Sequence, residues 1–79
     1  MIYRAIIRPK ENILDPQGQA VTASLRKLGF AVNEARIGRV VHLDVDADDE
    51  ADADRQVNEM CRQLLANPLI EVFEVDRVG

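Results

Sequence analysis

The chain is predicted to fold as a single small α+β domain over residues 1–79, an antiparallel sheet with two helices on one face, in the order βαββαβ. Three observations predict this. Short β-branched runs recur along the chain, two stretches with apolar residues at helical spacing separate them, and both helices carry start and stop signals.

Residues 2–8 form the first strand. Tyr3, Ala5 and Ile7 fall on one side, with Ile2, Arg4, Ile6 and Arg8 on the other. Pro9 ends it, because proline cannot donate to a ladder. In the following "LDPQGQAV", Asp15 is placed to cap a helix and Pro16 to occupy its first position. Ala20, Val21, Leu25 and Leu28 continue at helical spacing, and Gly29 can close the helix in a left-handed conformation. The first helix is therefore expected over residues 16–28.

Two strands follow, at residues 30–37 and 40–45, with a type II′ hairpin turn expected at Gly38-Arg39. Val41, Leu43 and Val45 alternate with His42 and Asp44, as on a strand with one buried face. The second helix is expected over residues 50–66. Its apolar stripe is Ala53, Val57, Met60, Cys61 and Leu64, and Asn67-Pro68 is its stop. The last strand spans residues 69–75 and carries apolar residues on both faces. The second face of the sheet therefore has to be covered by a partner or stand as an exposed patch. The order resembles ferredoxin-like topology.

Bulk composition narrows the function. A chain this short buries only roughly 60% of its unfolded surface. Its single cysteine, Cys61, can form no internal disulfide, and its single histidine, His42, offers no zinc cluster. Oligomerisation is the remaining route to stability. The net charge of −4 and the scattered basic residues argue against nucleic acid. No apolar run is long enough to span a membrane. One free cysteine and an N-terminus unlike a signal peptide point to the cytoplasm.

Candidate chemistry is sparse. Residues 44–54 hold half of the 14 acids, but read as a calcium loop from Asp44 they place Asp49 and Arg55 where glycine and glutamate are required. A solvated helix start explains them better. His42 reads as a sheet-face side chain, and Cys61 as a packed thiol rather than a nucleophile. "DPQG" lacks the glycines and the Lys-Ser/Thr pair of a phosphate loop, and Asp15 would itself occupy the helix N-terminus. From the residues alone the chain has no catalytic constellation and reads as a small oligomeric interaction module.

Three segments, "ILDPQGQAV", "ARIGRVVHLDV" and "NEMCRQLLANPLIEVFEV", together resemble the PurS subunit of phosphoribosylformylglycinamidine synthase. The resemblance covers essentially the whole chain; residues 47–56 carry little of it. It implies a non-catalytic scaffold subunit in purine biosynthesis. Such a subunit bridges a synthetase (PurL) and a glutaminase (PurQ) and supports ammonia transfer. The complex makes formylglycinamidine ribonucleotide from formylglycinamide ribonucleotide, using ATP and glutamine. ATP binding and magnesium are expected in the synthetase, with no cofactor and no catalytic residue in this chain. A homo-oligomer, dimer or tetramer, is implied. Arg36, Gly38 and Arg39 match the family's Arg-Ile-Gly-basic element. With Gly18 they are the candidate partner interface, although the two arginines equally suit solvated charges beside a hairpin. The alternative function is a small dimeric ligand-binding regulatory domain.

Overall fold

The computed structural model describes residues Met1–Gly79. Three strands form one antiparallel sheet in the order β2-β1-β3: β1 (Ile2–Pro9), β2 (Arg39–Asp44) and β3 (Glu71–Arg77). Helix α1 (Pro16–Lys27) lies between β1 and β2, and α2 (Glu50–Met60) between β2 and β3. A π-helical turn at Cys61–Leu65 extends α2.

The strand register sorts the side chains. Tyr3, Ala5 and Ile7 stand opposite Leu43, Val41 and Arg39 on one side and Arg77, Val75 and Phe73 on the other. Directly paired residues project from the same face. This row faces α2, and Tyr3, Ala5, Ile7, Ala53, Val57 and Cys61 are all fully buried. The alternation expected from the sequence is therefore the core alternation. Met1, Leu43, Met60 and Val75 flank the cluster of Tyr3, Val45, Ala53 and Val57. The opposite face, with Ile2, Ile6, Val40 and Val72, has no element over it. Arg4 pairs with Asp76 across it at 3.0 Å, and Arg8 pairs with Glu74.

Both helices begin as expected. Asp15 accepts from the Gly18 N–H at 3.1 Å, and Asp49 from the Asp52 N–H at 2.8 Å. Gly29 takes φ 97° and ends α1. At the end of α2 the structure departs from a continuous α stripe. The wider π turn rotates Leu64 outward, leaving it 83% exposed, and Leu65 turns inward instead.

Three expectations are corrected. Residues 30–37 form no strand, with a bend at Asn33, so the order is βαβαβ and the sheet has three strands. No hairpin forms at Gly38-Arg39. A type II′ turn needs a positive φ at its first central residue, and Gly29 is the chain's only residue with one. The chain instead continues out of β2 alongside the segment leaving β1. Finally, α2 alone covers the sheet. The only residue of α1 that is buried is Gly18, and Leu28 and Phe30 are 73% and 60% exposed.

The outcome is an elongated molecule, 51 × 26 × 14 Å, with a radius of gyration of 15.8 Å. A compact domain of this length has about 12 Å. The body is the sheet with α2; α1 and residues 30–37 form an arm. Because Val57 is wholly buried at the centre of the body, Val57→Ala is expected to destabilise the fold by about 2 kcal/mol. Urea denaturation followed by circular dichroism measures this.

Candidate functional site

The polar residues singled out in the sequence gather where the arm meets the body. Asp15 is the centre. One carboxylate oxygen accepts from the Gly18 N–H at 3.1 Å, and the other from the Ile37 N–H at 2.7 Å. The cap of α1 therefore also holds the extended segment. The Ile37 N–H is the larger cause, Gly18 the second, of an Asp15 carboxyl pKa below the ordinary range.

Gly18 completes the contact. A Cβ built at this position would lie 2.3 Å from the Ala35 carbonyl oxygen and 2.5 Å from Asp15 Oδ2. The glycine is thus explained by close backbone approach within one chain, α1 against residues 30–37. Thr22 ties the same seam: its hydroxyl donates to the Gly18 carbonyl at 2.7 Å and accepts from the Ala35 N–H at 2.8 Å.

Arg36 closes the other side. Its guanidinium donates to the carbonyls of Lys10 at 2.7 Å, Glu11 at 3.2 Å and Ile13 at 3.2 Å, and pairs with Glu34 at 3.1 Å. These carbonyls belong to the loop between β1 and α1, which has no ladder to satisfy them. Arg26 likewise donates to Val32 and Asn33 carbonyls, each at 2.8 Å. The open cleft of about 430 Å³ between α1 and the segment is lined by Ile13, Thr22, Arg26 and Arg36. Both arginines already direct their donors at backbone.

Arg39 lies one turn of chain away, in a second polar knot. It reaches across β1 to make a two-pronged pair with Glu71, at 2.6 and 3.0 Å, and also donates to the Leu65 carbonyl. Glu71 accepts in addition from the Asn67 N–H at 2.7 Å. Arg39 first, then Asn67, holds the Glu71 carboxyl below the ordinary range. Gly38 is also a close approach, with a hypothetical Cβ 2.5 Å from the Ile7 carbonyl oxygen.

The remaining reactive side chains are scattered. His42 is exposed on the open sheet face, opposite Arg4. Cys61 is buried, and burial pushes its thiol pKa up, which disfavours the nucleophilic thiolate. Tyr3 donates to Asp54 at 2.6 Å; that bond, then burial, pushes the phenol up to about 12. No group of three or more His, Cys, Asp and Glu side chains is arranged to hold a metal ion. No helix is long and apolar enough to cross a membrane.

This arrangement can position surfaces; it brings no nucleophile to a base. A family model described as PurS, phosphoribosylformylglycinamidine (FGAM) synthase, matches residues 3–79. The chain belongs to the PurS family. Among curated PurS subunits of FGAM synthase, that of Synechocystis sp. is 44% identical, with 89% of this chain and 71% of that one aligned. The one from Archaeoglobus fulgidus is 38% identical over 95% of both. The crystal structure of the PurS subunit from Thermotoga maritima superposes with a TM-score of 0.91 at 31% identity, covering 98% of this chain and 90% of that one. A chain in the structure of PurLQS from the same organism gives 0.89 at 33% identity, covering 98% and 96%.

In this PurS chain, all four interface candidates from the sequence are committed to contacts within the chain. Gly18 and Arg36 meet around Asp15, whereas Arg39 belongs to the second knot and Gly38 lies between the two. Both arginines are engaged within the chain, and Arg39 also stays half exposed to water. No local signal in the sequence marks Glu71 as the partner of Arg39 or Thr22 as that of Gly18. Nor does one mark the second task of Asp15, because an N-cap signal predicts only the nearer N–H.

Two measurements check this seam. Alanine ordinarily gains about 1 kcal/mol over glycine within a helix, but the Ala35 carbonyl makes Gly18→Ala destabilising, with a lower urea midpoint. The acid titration of Asp15 has a worked sign: its depressed folded-state pKa means that its contribution is full above the unfolded value, about 3.9, and is lost as pH falls through the folded value. The amide proton shifts of Gly18 and Ile37 should titrate together there. Asp15→Asn, which retains only one acceptor oxygen, should abolish the transition and detach one of the two amides.

Proposed function

We propose that this chain is the non-catalytic subunit that joins synthetase and glutaminase in a cytoplasmic FGAM synthase complex. In this reading it acts as a homodimer and supports the transfer of glutamine-derived ammonia to the synthetase. ATP, magnesium and the phosphorylated substrate are handled by the synthetase, and glutamine hydrolysis by the glutaminase. The observation that carries the reading is the chain's likeness to PurS over its full length, including the PurLQS relative from Thermotoga maritima. Its own structure is compatible with scaffolding. Its polar side chains are committed to fixing the shape of an elongated molecule, and it leaves one sheet face and one helix stripe uncovered. Such surfaces suit subunit contacts.

The reaction gives a direct test. The chain is mixed with its synthetase and glutaminase partners, and turnover is followed with glutamine or with ammonium as nitrogen donor. Omitting the chain should abolish glutamine-dependent turnover while leaving ammonia-dependent turnover largely intact. Undiminished glutamine-dependent turnover without it would overturn the scaffold reading.

A further inference from the structure

Leu64 and Leu69 are the two most exposed large apolar side chains of the chain, at 83% and 80%. They stand on either side of residues 66–68, where the π turn passes into β3. Single exposed apolar side chains need no explanation. These cluster on a loop that is firmly held. Apart from Pro68, which has none, every residue from Ala66 to Glu71 has its N–H bonded within the chain. Ala66 donates to the Cys61 carbonyl, Asn67 to the Glu71 carboxylate and Leu69 to the Asn67 side chain, while Ile70 and Glu71 both donate to the Asn67 carbonyl. The Arg39–Glu71 pair anchors this turn from the far side of β1. Ile70 and Val72 extend the exposed apolar surface.

Beside the loop an open cleft of about 370 Å³ lies between the π turn and the start of β3. Ala66, Pro68, Val72 and Phe73 give it apolar walls, and its charged residues are Lys10, Arg62 and Glu71. Their charges do not cancel. Both Glu71 oxygens are taken up by Arg39 and Asn67. Arg62 directs one nitrogen at Glu59, at 2.7 Å, and stays half exposed. Lys10 forms no ion pair in the chain. The rim is therefore positive, although the whole chain carries −4. An apolar cleft with a positive rim is complementary to an apolar side chain that adjoins a carboxylate. Leu64 and Leu69 lie outside the cleft, so the apolar surface is broader than a small ligand covers and fits a polypeptide.

We propose that this end of the body docks a partner subunit through a segment in which a bulky apolar side chain adjoins a carboxylate. The side chain enters the cleft, the carboxylate meets Lys10 and Arg62, and Leu64 and Leu69 pack on the surface around it. This rests on the scaffold reading above and names where a partner engages. It gives the knot of Arg39, Glu71 and Asn67 a task beyond bracing the sheet. A loop ordered in advance loses little entropy on binding. An acid already neutralised within the chain does not repel an incoming carboxylate. The π turn contributes as well, since it places Leu64 outward, on the side of this surface rather than in the core.

Leu69→Ser and Lys10→Glu, each in the full chain, test the proposal by calorimetric titration against the purified synthetase and glutaminase. Both variants should weaken binding to the same subunit by about tenfold or more, and Lys10→Arg should keep binding it. Circular dichroism and the mass from light scattering should match the wild type, because Leu69 is exposed and Lys10 is held only through its backbone. Wild-type affinity for both subunits in either folded variant overturns this surface and leaves the scaffold reading standing. Losses directed at different subunits do the same. So does a fall in mass, which would assign the surface to a second copy. A wild type that binds neither subunit overturns the scaffold reading and this surface together. If Leu69→Ser fails to fold, Lys10→Glu decides.

Discussion

Two oxygens of one carboxylate determine the shape of this protein. Asp15 holds the Gly18 N–H with one and the Ile37 N–H with the other, joining segments 22 residues apart in the chain. Each such bond is modest in water, about 0.5–1.5 kcal/mol. Their effect comes from cooperation. With Asp15 in place, Gly18 admits the Ala35 carbonyl, Thr22 bonds both sides of the seam, and Arg36 satisfies the carbonyls of the neighbouring loop. The arm buries almost no apolar side chain, so this polar seam takes the role that a core plays elsewhere. It fixes a direction rather than a volume.

The body is organised in the opposite way. Its order comes from apolar burial, one row of Tyr3, Ala5 and Ile7 under Ala53, Val57 and Cys61. That core is thin, and small domains are only marginally stable. The pair Arg39–Glu71 adds a brace across β1 and ties in the Leu65 carbonyl and the Asn67 N–H where the π turn ends. The π turn has a structural reason here. It ends α2 with Leu65, not Leu64, turned toward the body. The brace is polar because it sits at the rim, where water reaches Arg39 and a purely apolar contact would gain little.

Much of the body was legible in the sequence because its signals are local. Alternation at residues 3, 5 and 7, the i, i+4, i+8 spacing of Ala53, Val57 and Cys61, and the caps Asp15 and Gly29 each depend on a few neighbours. The π turn was not legible, since no residue type demands it. The polar seam was half legible. Asp15 and Gly18 announce a helix start, but the second acceptor role of Asp15 depends on Ile37, and no pattern links residues so far apart. Arg36 and Arg39 stand three apart within one short motif, yet they serve different knots, because the strand between them leaves the sheet at Gly38.

The hairpin that did not form is the most instructive difference. β-branched and aromatic residues at positions 30, 32 and 37 favour a pleated, half-buried surface. Such a preference carries no information about which strand supplies the neighbour. Glycine at position 38 suggests the pivot of a turn, because a turn is the commonest reason for glycine between two strands. Here its missing side chain serves a different need, contact with the Ile7 carbonyl at a φ that is not positive. One glycine thus supports two opposite topologies, and the choice is made elsewhere, by Asp15 and Arg36 gripping the chain on its far side. Where such a grip holds a strand-forming segment away from its own sheet, unmet backbone donors and uncovered apolar side chains remain together on one surface.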